Sequence, residues 1–596
     1  MSPPGVRTIS LATDGEAVEP TPRMAGAPLF RALAAVLAFI QFWGSRHELN
    51  TDGVSYLDVG EAFFRGDWNV AINGMWSPLY PFLLGFTKAM LRPEAAREFF
   101  VVHLLNVAIF VGALAAFEYF LRSAMEWMSA EGQRVRRRTW TALGYGLFLW
   151  ASLGLTGVGP VSPDLLASVF VYLGAGVVLK LRVHAERVRL WALLGVVLGV
   201  GYWARAPFLL WAPVFLVAAA WRRGGVNFPG RGLRVACGTL VLTALPLVVA
   251  LSAVKGRPTF TDSGRLNYAW YVNGVVYRHW QGEPAGAGEH VAAERLVVPG
   301  DTGRPRHGTR KLLETPPVFA FGEPLRCTYA VWCDPSYWYE GVETAVYPGQ
   351  QMRTLWVNMR ELQAETFRVR PSESLRIFGI AAVLGLALGL YKRRRQGSWE
   401  LVAIGCVGIV PHLFVRVEPR YVAAYLLVLL MGMFSFVRLS SGAYRWIGVF
   451  LLACAIPQHA LVVVRTAAER PKELPVATAA RVAGMGPGEP IAVLNYANIW
   501  HTKWAKLAGL RIVAEIHTSA FETSEDAFWH AKPESRKRVE NAFRVAGAAY
   551  AVARFAPNWA AGEGWRRLGD TGYSVLPLGE SRGEPFPPDT ERRGRR

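Results

Sequence analysis

An acidic and a phenolic side chain recur at helical spacing near the start of the chain, within residues 50–62. Asp52, Tyr56 and Gly60 stand four residues apart, so on a helix they share one face. This face would aim a carboxylate and a phenol into a common cleft, and Gly60 would leave room for a close neighbour or a substrate. A carboxylate there could act as a general base. The alternative is that Asp52 only caps the helix, as Asp often does.

Other charged residues border apolar segments. Arg205 and Arg420 could grip phosphate oxygens, since a guanidinium binds them bidentately, or could snorkel at helix ends. Glu418 could pair with Arg420 or bind a divalent cation. Asp164 could bind substrate or compensate a helix dipole. Lys88 could meet a donor phosphate or anchor a helix at the membrane interface.

The composition places these residues in a membrane protein. Hydrophobic residues make up 52% of the 596 residues and charged residues 18%, which argues against a wholly soluble or disordered chain. Five cysteines exclude a disulfide-dense scaffold. Eleven nearly uncharged segments are long enough, or almost so, to span a bilayer as helices. They centre on residues 28–45, 99–121, 139–157, 164–180, 190–204, 206–221, 235–254, 375–391, 400–415, 421–437 and 446–464.

Two apolar stretches need separate interpretation. Residues 190–221 are interrupted by a single charge, Arg205, and one helix of that length would be about 48 Å long. Pro207 and the preceding glycines therefore predict a tight hairpin. Residues 77–90 are short and broken by proline, which favours an interfacial helix over a further span.

The distribution of basic residues predicts the orientation in the membrane. The net charge is +20, and 19 Lys and Arg residues fall in one set of five connections, against three in the opposite short connections. The basic set is therefore predicted to face the cytoplasm, and no nucleic-acid partner is expected. The long insert 255–374 and the segment after residue 465 then lie outside.

The segment after the last apolar run has a different pattern. Short strand patterns near 491–494, 511–514 and 549–552 alternate with helical ones, which predicts a small extracytoplasmic α/β domain. The predicted division is a disordered cytoplasmic tail over 1–27, a transmembrane domain over 28–465 with an outer loop 45–98 and an outer insert 255–374, the α/β domain over 466–578, and a disordered tail over 579–596.

Six short motifs follow one another along the apolar part of the chain. They are Asp52-Gly53-x-x-Tyr56, Gly66-Asp67-Trp68, Ser77-Pro78-Leu79, Ser162-Pro163-Asp164, Arg205-Ala206-Pro207 and Glu418-Pro419-Arg420-Tyr421. In order and in side of the membrane they resemble the GT-C superfamily of membrane glycosyltransferases, in the branch with protein O-mannosyltransferases, lipid A aminoarabinose transferases and lipopolysaccharide-core sugar transferases. That family has Asp-Glu-x-x-Tyr and Pro-Pro-Leu where this chain has Gly53 and Ser77. The similarity extends over about residues 28–465.

The resemblance implies a polytopic, mainly α-helical, GT-C-like enzyme with about eleven transmembrane helices in a prokaryotic cytoplasmic membrane. It implies transfer of a sugar, with inversion, from a polyprenyl-phosphate donor to an envelope glycan, lipid or protein on the extracytoplasmic face. Asp52 is the expected catalytic base. A divalent cation is the one cofactor considered. The expected substrate-binding residues are Tyr56, Lys88, Asp164, Arg205, Glu418, Arg420 and Tyr421.

Two other function classes fit parts of the sequence. A polytopic transporter or lipid flippase would line its pathway with the same charges, although no similar halves or paired broken helices are evident. An outer-surface receptor would use residues 470–578 and would not need Asp52. Cys327 and Cys333, on the predicted oxidising side with five residues between them, could form a local disulfide.

Overall fold

The computed structural model describes residues 26–132, 136–221, 229–275, 309–321, 325–366, 397–436, 442, 471–517 and 524–579. Most of the described chain is helical, with one seven-stranded sheet whose strands lie within residues 309–321 and 490–577. The predicted tails 1–27 and 579–596 fall almost entirely outside these residues. The predicted spans 375–391 and 446–464 lie wholly outside them.

Five of the described helices are long and apolar enough to cross a membrane. They are α1 (Ala27–Ser45), α5 (Ala95–Ala130), α7 (Asp164–Val183), α10 (Gly230–Lys255) and α16 (Pro419–Phe436). Four apolar helices are shorter: α4 (Leu79–Leu91), α8 (Val188–Ala204), α9 (Phe208–Ala220) and α15 (Trp399–Phe414). Helix α6 (Arg137–Leu149) continues as a π-helical turn over Trp150–Thr156.

Eight of the eleven predicted spans coincide with these apolar helices, and a ninth, 139–157, coincides with α6 and its π-helical turn. The hairpin at 190–221 is confirmed, because α8 ends at Ala204, Arg205 has an extended backbone and α9 begins after Pro207. Proline lacks the amide hydrogen that would continue the first helix, but it is tolerated at the start of the next one.

Small residues bring the apolar helices close together. Gly195 and Gly199 lie one turn apart on α8, and a side chain at either position would collide with Thr239 or Thr243 of α10. Small residues at four-residue spacing typically allow two membrane helices to approach closely. The backbone contact between α8 and α10 therefore depends on these two glycines.

Helix α7 defines two ends of the bundle. It begins at Asp164 and carries Arg182 near its C-terminus, and 18 residues of helix measure about 27 Å, close to the apolar thickness of a bilayer. At the Arg182 end, Arg182 pairs with Glu400 of α15 at 3.2 Å, and Lys180 pairs with Glu126 of α5. The candidate site lies at the Asp164 end.

Shorter helices cover the Asp164 end and lead to the sheet. They are α2 (Thr51–Arg65), α3 (Trp68–Ala71), α11 (Ser263–Tyr271), α12 (Ala330–Cys333), α13 (Pro335–Trp338) and α14 (Pro348–Thr366). The C-terminal part adds α17 (Glu473–Val482), α18 (Ala497–Trp500), α19 (Thr502–Ala508), α20 (Ser524–Trp529) and α21 (Pro533–Val545).

The sheet combines strands from two distant parts of the sequence. Its order is β1 (Thr309–Glu314), β2 (Pro317–Phe321), β4 (Arg511–Ile516), β3 (Pro490–Val493), β5 (Tyr550–Ala553), β7 (Ser574–Pro577) and β6 (Arg566–Arg567). Strands β4, β3 and β5 are parallel and coincide with the three predicted strands. Strand β2 pairs antiparallel with β4, so the outer insert contributes directly to the sheet. The predicted α/β division did not include this pairing.

Candidate functional site

Helix α2 holds the acidic residue that the sequence indicates. Asp52 is the second residue of the helix, while Asn50 occupies the N-cap position and exchanges hydrogen bonds with the backbone of Val161 at 2.9 and 3.2 Å. One Asp52 oxygen accepts a hydrogen bond from Trp332 Nε1 at 3.0 Å, and the other lies 3.9 Å from an Arg420 nitrogen. The Asp52 carboxylate therefore faces neighbouring segments of the site, and Asn50, not Asp52, is the N-cap residue.

The loop that carries Trp332 is attached to α2 at two further points. Ser55 Oγ donates to the Trp332 carbonyl at 2.8 Å, and Asp58 accepts from the amide and hydroxyl of Thr328 at 2.9 and 3.0 Å. Ser55 and Asp58 follow Asp52 at three-residue intervals, which places all three on one side of the helix. A disulfide between Cys327 and Cys333 closes the same loop. The local disulfide that was considered from the sequence is therefore present.

Two arginines converge on Asp164 at the start of α7. Arg205, in the α8–α9 hairpin, forms an ion pair with Asp164, and Arg420 Nε lies 3.5 Å from the second Asp164 oxygen. Arg420 also donates to Glu418 at 2.7 Å. The guanidinium of Arg205 lies 4.2 Å from the centre of the Tyr421 ring. Five predicted site residues from three separate segments therefore meet beside Asp52.

Tyr56 lies below Asp52 on the same face of α2 and is 5% exposed. Its ring makes edge contacts with Trp76 and Tyr80, with ring centres 5.0 and 5.4 Å apart. Burial and the negative charge of Asp52 raise the pKa of the Tyr56 phenol well above its usual value. Tyr56 therefore remains a neutral hydroxyl group at any physiological pH.

The environment of Asp52 makes its carboxylate a stronger base than an exposed one. Burial raises the pKa of Asp52, and the hydrogen bond from Trp332 and the charge of Arg420 oppose this effect only in part. The Asp52 side chain is still 26% exposed, so a substrate can reach it. A higher pKa favours proton acceptance from an acceptor hydroxyl.

Lys88 lies in a different cluster from Asp52. Its amino group contacts Glu61 at 2.5 Å and Glu98 at 2.7 Å. Lys506 of α19 contacts Asp58 at 2.7 Å and Glu61 at 2.9 Å. The structure therefore places Lys88 in a partly buried network between α2, α4, α5 and α19, apart from the two arginines.

Gly60 allows the close approach of a neighbour that the sequence predicts, and that neighbour is helix α4. A side chain at Gly60 would meet the Pro81 carbonyl at 2.4 Å and the Gly85 amide at 2.9 Å. The space above Gly60 is filled by the backbone of α4, so the expectation that it leaves room for a substrate is wrong. Two glycines face each other here because no Cβ fits between the helices.

Trp332 and Lys506 are the two contributors that sequence reasoning missed. One sequence feature could have indicated Trp332, because this residue lies between Cys327 and Cys333 in a loop of the outer insert. Lys506 stands in an apolar stretch with no motif around it, and its contacts depend on chain folding over more than 400 residues.

A metal ion has one geometric candidate among the described residues, formed by Asp58, Cys327 and Cys333. The two sulfur atoms are bonded to each other, so they are not the thiolates that metals bind. Asp58 already accepts hydrogen bonds from Thr328 and Lys506. These residues do not fit a metal ion in the oxidised state.

Comparison with known proteins finds similarity in solved structures. No family model and no curated protein sequence matches the chain. The crystal structure of ArnT from Cupriavidus metallidurans bound to undecaprenyl phosphate aligns with a TM-score of 0.52 at 12% identity, over 94% of this chain and 99% of that chain. The chain has the GT-C fold. The resemblance inferred from the motifs is thereby confirmed at the level of the fold.

Two further structures align less closely with this chain. The apo form of the same ArnT has a TM-score of 0.38 at 14% identity, over 94% of this chain and 99% of that one. An Archaeoglobus fulgidus oligosaccharyltransferase in complex with zinc and sulfate has a TM-score of 0.46 at 12% identity, over 88% of this chain and 68% of that one.

Proposed function

We propose that the chain is an integral-membrane inverting glycosyltransferase that uses a polyprenyl-phosphate sugar on the extracytoplasmic face, with Asp52 as the base. One observation carries the proposal: a partly exposed carboxylate lies 3.9 Å from a guanidinium that also contacts Asp164, beside a second arginine. A base and a cationic grip are the two groups that transfer of a sugar from a phosphate requires.

The reaction follows from this arrangement. Asp52 accepts the proton of the acceptor hydroxyl as its oxygen attacks the anomeric carbon of the donor sugar. The bond between that carbon and the phosphate oxygen breaks on the opposite face, which inverts the configuration. Arg205 and Arg420 stabilise the charge on the released polyprenyl phosphate. The products are the glycosylated acceptor, the lipid phosphate and protonated Asp52, which returns its proton to water.

A lipid carrier agrees with the position of the site. Arg205 and Arg420 lie at the Asp164 end of the bundle, about one bilayer thickness from Arg182. The Cupriavidus ArnT that aligns over nearly the whole chain holds undecaprenyl phosphate. We infer that this chain accepts a phosphate-bearing polyprenyl donor in the same region, and that the acceptor is an envelope glycan, lipid or protein.

The outer location of the site has two supports. The basic connections predicted to be cytoplasmic include the one after α7, at the Arg182 end, whereas Asp52 and Asp164 lie at the other end. The Cys327–Cys333 disulfide next to Asp52 belongs in an oxidising compartment. Together they favour an extracytoplasmic site in a cytoplasmic membrane.

A divalent cation has no assigned step in this mechanism. Glu418 and Asp164 both contact Arg420, and Asp164 also contacts Arg205. A cation at Glu418, the position considered from the sequence, would have to compete with the guanidinium of Arg420.

Gene deletion and complementation test the function even while the donor sugar is unidentified. Mass spectrometry of the deletion strain should show loss of one glycan modification and accumulation of its lipid-linked sugar. Wild-type protein should restore the modification, and Asp52→Asn protein of equal abundance and thermal stability should not. Full restoration by Asp52→Asn would overturn the proposal. Movement of the lipid-linked sugar across proteoliposomes without product formation would favour a flippase instead.

A further inference from the structure

The parallel part of the sheet has the topology that creates a ligand crevice. Strand β3 lies between β4 and β5, so the chain crosses from β3 to β4 in one direction and from β4 to β5 in the other. The connecting helices consequently cover opposite faces: Trp504 of α19 packs in the core shared with the membrane helices, and Phe543 of α21 packs in the separate core. In such sheets, ligands bind where the carboxyl ends of the two diverging strands separate.

Arg554, immediately after β5, lies at this crevice. Its guanidinium lies over two aromatic rings, 4.0 Å from the centre of Trp500 and 4.7 Å from the centre of Phe555. Glu525 fixes its backbone, accepting from the amides of Arg554 and Phe555 at 2.5 and 3.1 Å. Among the described residues, no hydrogen-bond or ion-pair partner contacts the guanidinium itself, although the carboxylates of Glu473 and Glu525 lie within electrostatic range. An arginine held in place and left unpaired is suited to an anion.

Several buried polar atoms beside Arg554 also lack partners. They follow β3 and comprise Asn498 Oδ1, Trp500 Nε1 and both ring nitrogens of His501, none of which has a hydrogen-bond partner among the described residues. Asn498 is 7% exposed and His501 is fully buried. The charge of Arg554 acts on the His501 ring, and the Tyr573 hydroxyl donates to the Trp500 carbonyl at 3.1 Å, so these groups form one cluster.

Unpaired buried donors and acceptors cost free energy unless a ligand completes them. An amide oxygen, an indole N–H and an imidazole require both donors and acceptors, which the hydroxyl groups of a sugar provide. We propose that the crevice formed by residues 495–501 and Arg554 binds an acidic saccharide, whose phosphate or carboxylate contacts Arg554. The choice of a saccharide as ligand rests on the proposed function. The anion site itself is argued from the geometry around Arg554 and does not depend on that function.

The position of this crevice connects it to the catalytic region. Trp500 immediately precedes α19, and Lys506 on the same helix contacts Asp58 and Glu61 of α2. A ligand at Arg554 would therefore lie against the helix that supports the one carrying Asp52. This arrangement suits capture of an acceptor before transfer.

Calorimetric titration of the full-length protein in detergent tests the site. The probes are glucose 6-phosphate, glucuronate, inorganic phosphate and uncharged glucose. We expect wild-type protein to bind at least one of the two acidic sugars, more tightly than either glucose or phosphate. Arg554→Gln should weaken this binding roughly tenfold or more, since a charge-assisted contact is lost. Arg538→Gln, which removes the same charge from the exposed face of α21, should change it less than twofold.

Companion variants separate this site from the proposed catalytic site. Asp52→Asn and Arg420→Gln should leave the binding unchanged, whereas loss of binding in Arg420→Gln would place the sugar at the donor site and overturn the inference. Equal affinity in wild-type and Arg554→Gln protein, or no binding of either acidic sugar, would also overturn it. Equal affinity for phosphate and glucose 6-phosphate would exclude a saccharide. If Arg554→Gln does not fold, Arg554→Lys should weaken binding by loss of the planar guanidinium.

Discussion

The two oxygens of Asp52 have different partners, and this difference defines its chemistry. Trp332 donates to one oxygen, and Arg420 approaches the other without a close hydrogen bond. Burial raises the pKa of the carboxyl more than these two groups lower it. Asp52 is thus held in place by a neutral donor while its second oxygen remains available for a proton.

Substitution of Asp52 should separate activity from stability. Asp52→Asn should lower kcat by about 10²- to 10⁴-fold, the usual contribution of a general base. Its Tm at pH 7 should equal or exceed that of wild type. Because the pKa of Asp52 is higher in the folded state than in the unfolded state, the stability of the fold decreases as pH rises through the titration of Asp52. Asparagine at this position cannot ionise, so it avoids the free-energy cost of burying the charge. Turnover assays and thermal unfolding in detergent measure both effects.

Asp58→Asn provides the matched control on the same helix. Asp58 bonds Thr328 and Lys506, so its substitution should lower Tm and leave a pH profile of the wild-type shape. A lower Tm for Asp52→Asn than for Asp58→Asn would contradict this assignment of roles.

Trp332 is a positioning residue for Asp52, and the pH dependence of kcat can test this role. Trp332→Phe removes the N–H that lowers the pKa of Asp52, so the acidic limb of kcat should move to higher pH. Trp338→Phe is the control, because Trp338 Nε1 donates to the Ala330 carbonyl in the same region. Both variants should lose some stability. An identical acidic limb in Trp332→Phe and wild-type protein would show that this hydrogen bond does not tune Asp52.

At the scale of elements, α2 has three separate contact surfaces. Asp52, Ser55 and Asp58 form hydrogen bonds with the loop 327–333. Gly60 packs on α4, and both Asp58 and Glu61 form ion pairs with Lys506 of α19. Burial raises the pKa of Glu61, but Lys506 and Lys88 outweigh it and lower the value to about 2. The helix carrying the candidate base is therefore held simultaneously by the insert, the membrane bundle and the sheet.

The lysine bridge to the sheet should be important for stability. The Lys506 and Asp58 side chains are only 5% and 6% exposed, so Lys506→Met would leave the buried Asp58 carboxylate without its lysine partner and should cost about 3 to 5 kcal/mol. Lys503→Met, on the same helix but partly exposed, should cost far less. The double variant Lys506→Met/Asp58→Asn should recover part of the loss, which chemical or thermal unfolding would measure.

Acid unfolding gives a second measurement of the same network. A depressed pKa for Glu61 contributes stability above its unfolded value of 4.5, and this contribution is lost as pH falls towards about 2. Wild-type protein should lose Tm over that range more steeply than Lys506→Met. Equal slopes for the two proteins would show that Lys506 does not hold Glu61 ionised.

At the scale of the whole molecule, the bundle has an Asp164 end and an Arg182 end separated by about one bilayer thickness. The insert and the C-terminal segment meet in one sheet on the side of Asp52. This arrangement requires the sheet and the candidate base to face the same compartment.

Labelling of single cysteines should determine that compartment. In a background with Cys237, Cys406 and Cys454 replaced by Ala, Arg538→Cys on α21 should react with a membrane-impermeant maleimide in intact cells. Glu186→Cys, in the exposed connection after α7, should react only after the membrane is opened. The reverse pattern would place Asp52 in the cytoplasm and contradict the proposed function.

Much of the helical architecture could be predicted because apolar length is a local property. Spans such as 164–180 and the break at Arg205 follow from hydropathy and from proline, and the three parallel strands follow from short apolar runs. Beside Asp52, the structure brings together five residues that the sequence analysis expected to bind substrate: Asp164, Arg205, Glu418, Arg420 and Tyr421. Their catalytic and binding roles remain predictions.

Residue spacing indicated that Asp52 and Tyr56 share a helical face, and hydropathy indicated where the long apolar helices lie. Only the tertiary structure decided that Trp332 bonds Asp52, that Lys88 belongs to another cluster, that Gly60 is covered by α4, and that strands of the insert complete the C-terminal sheet. The physical reason is range. Hydropathy and helical periodicity act within about twenty residues, whereas these contacts join segments up to 280 residues apart and depend on how all the helices pack.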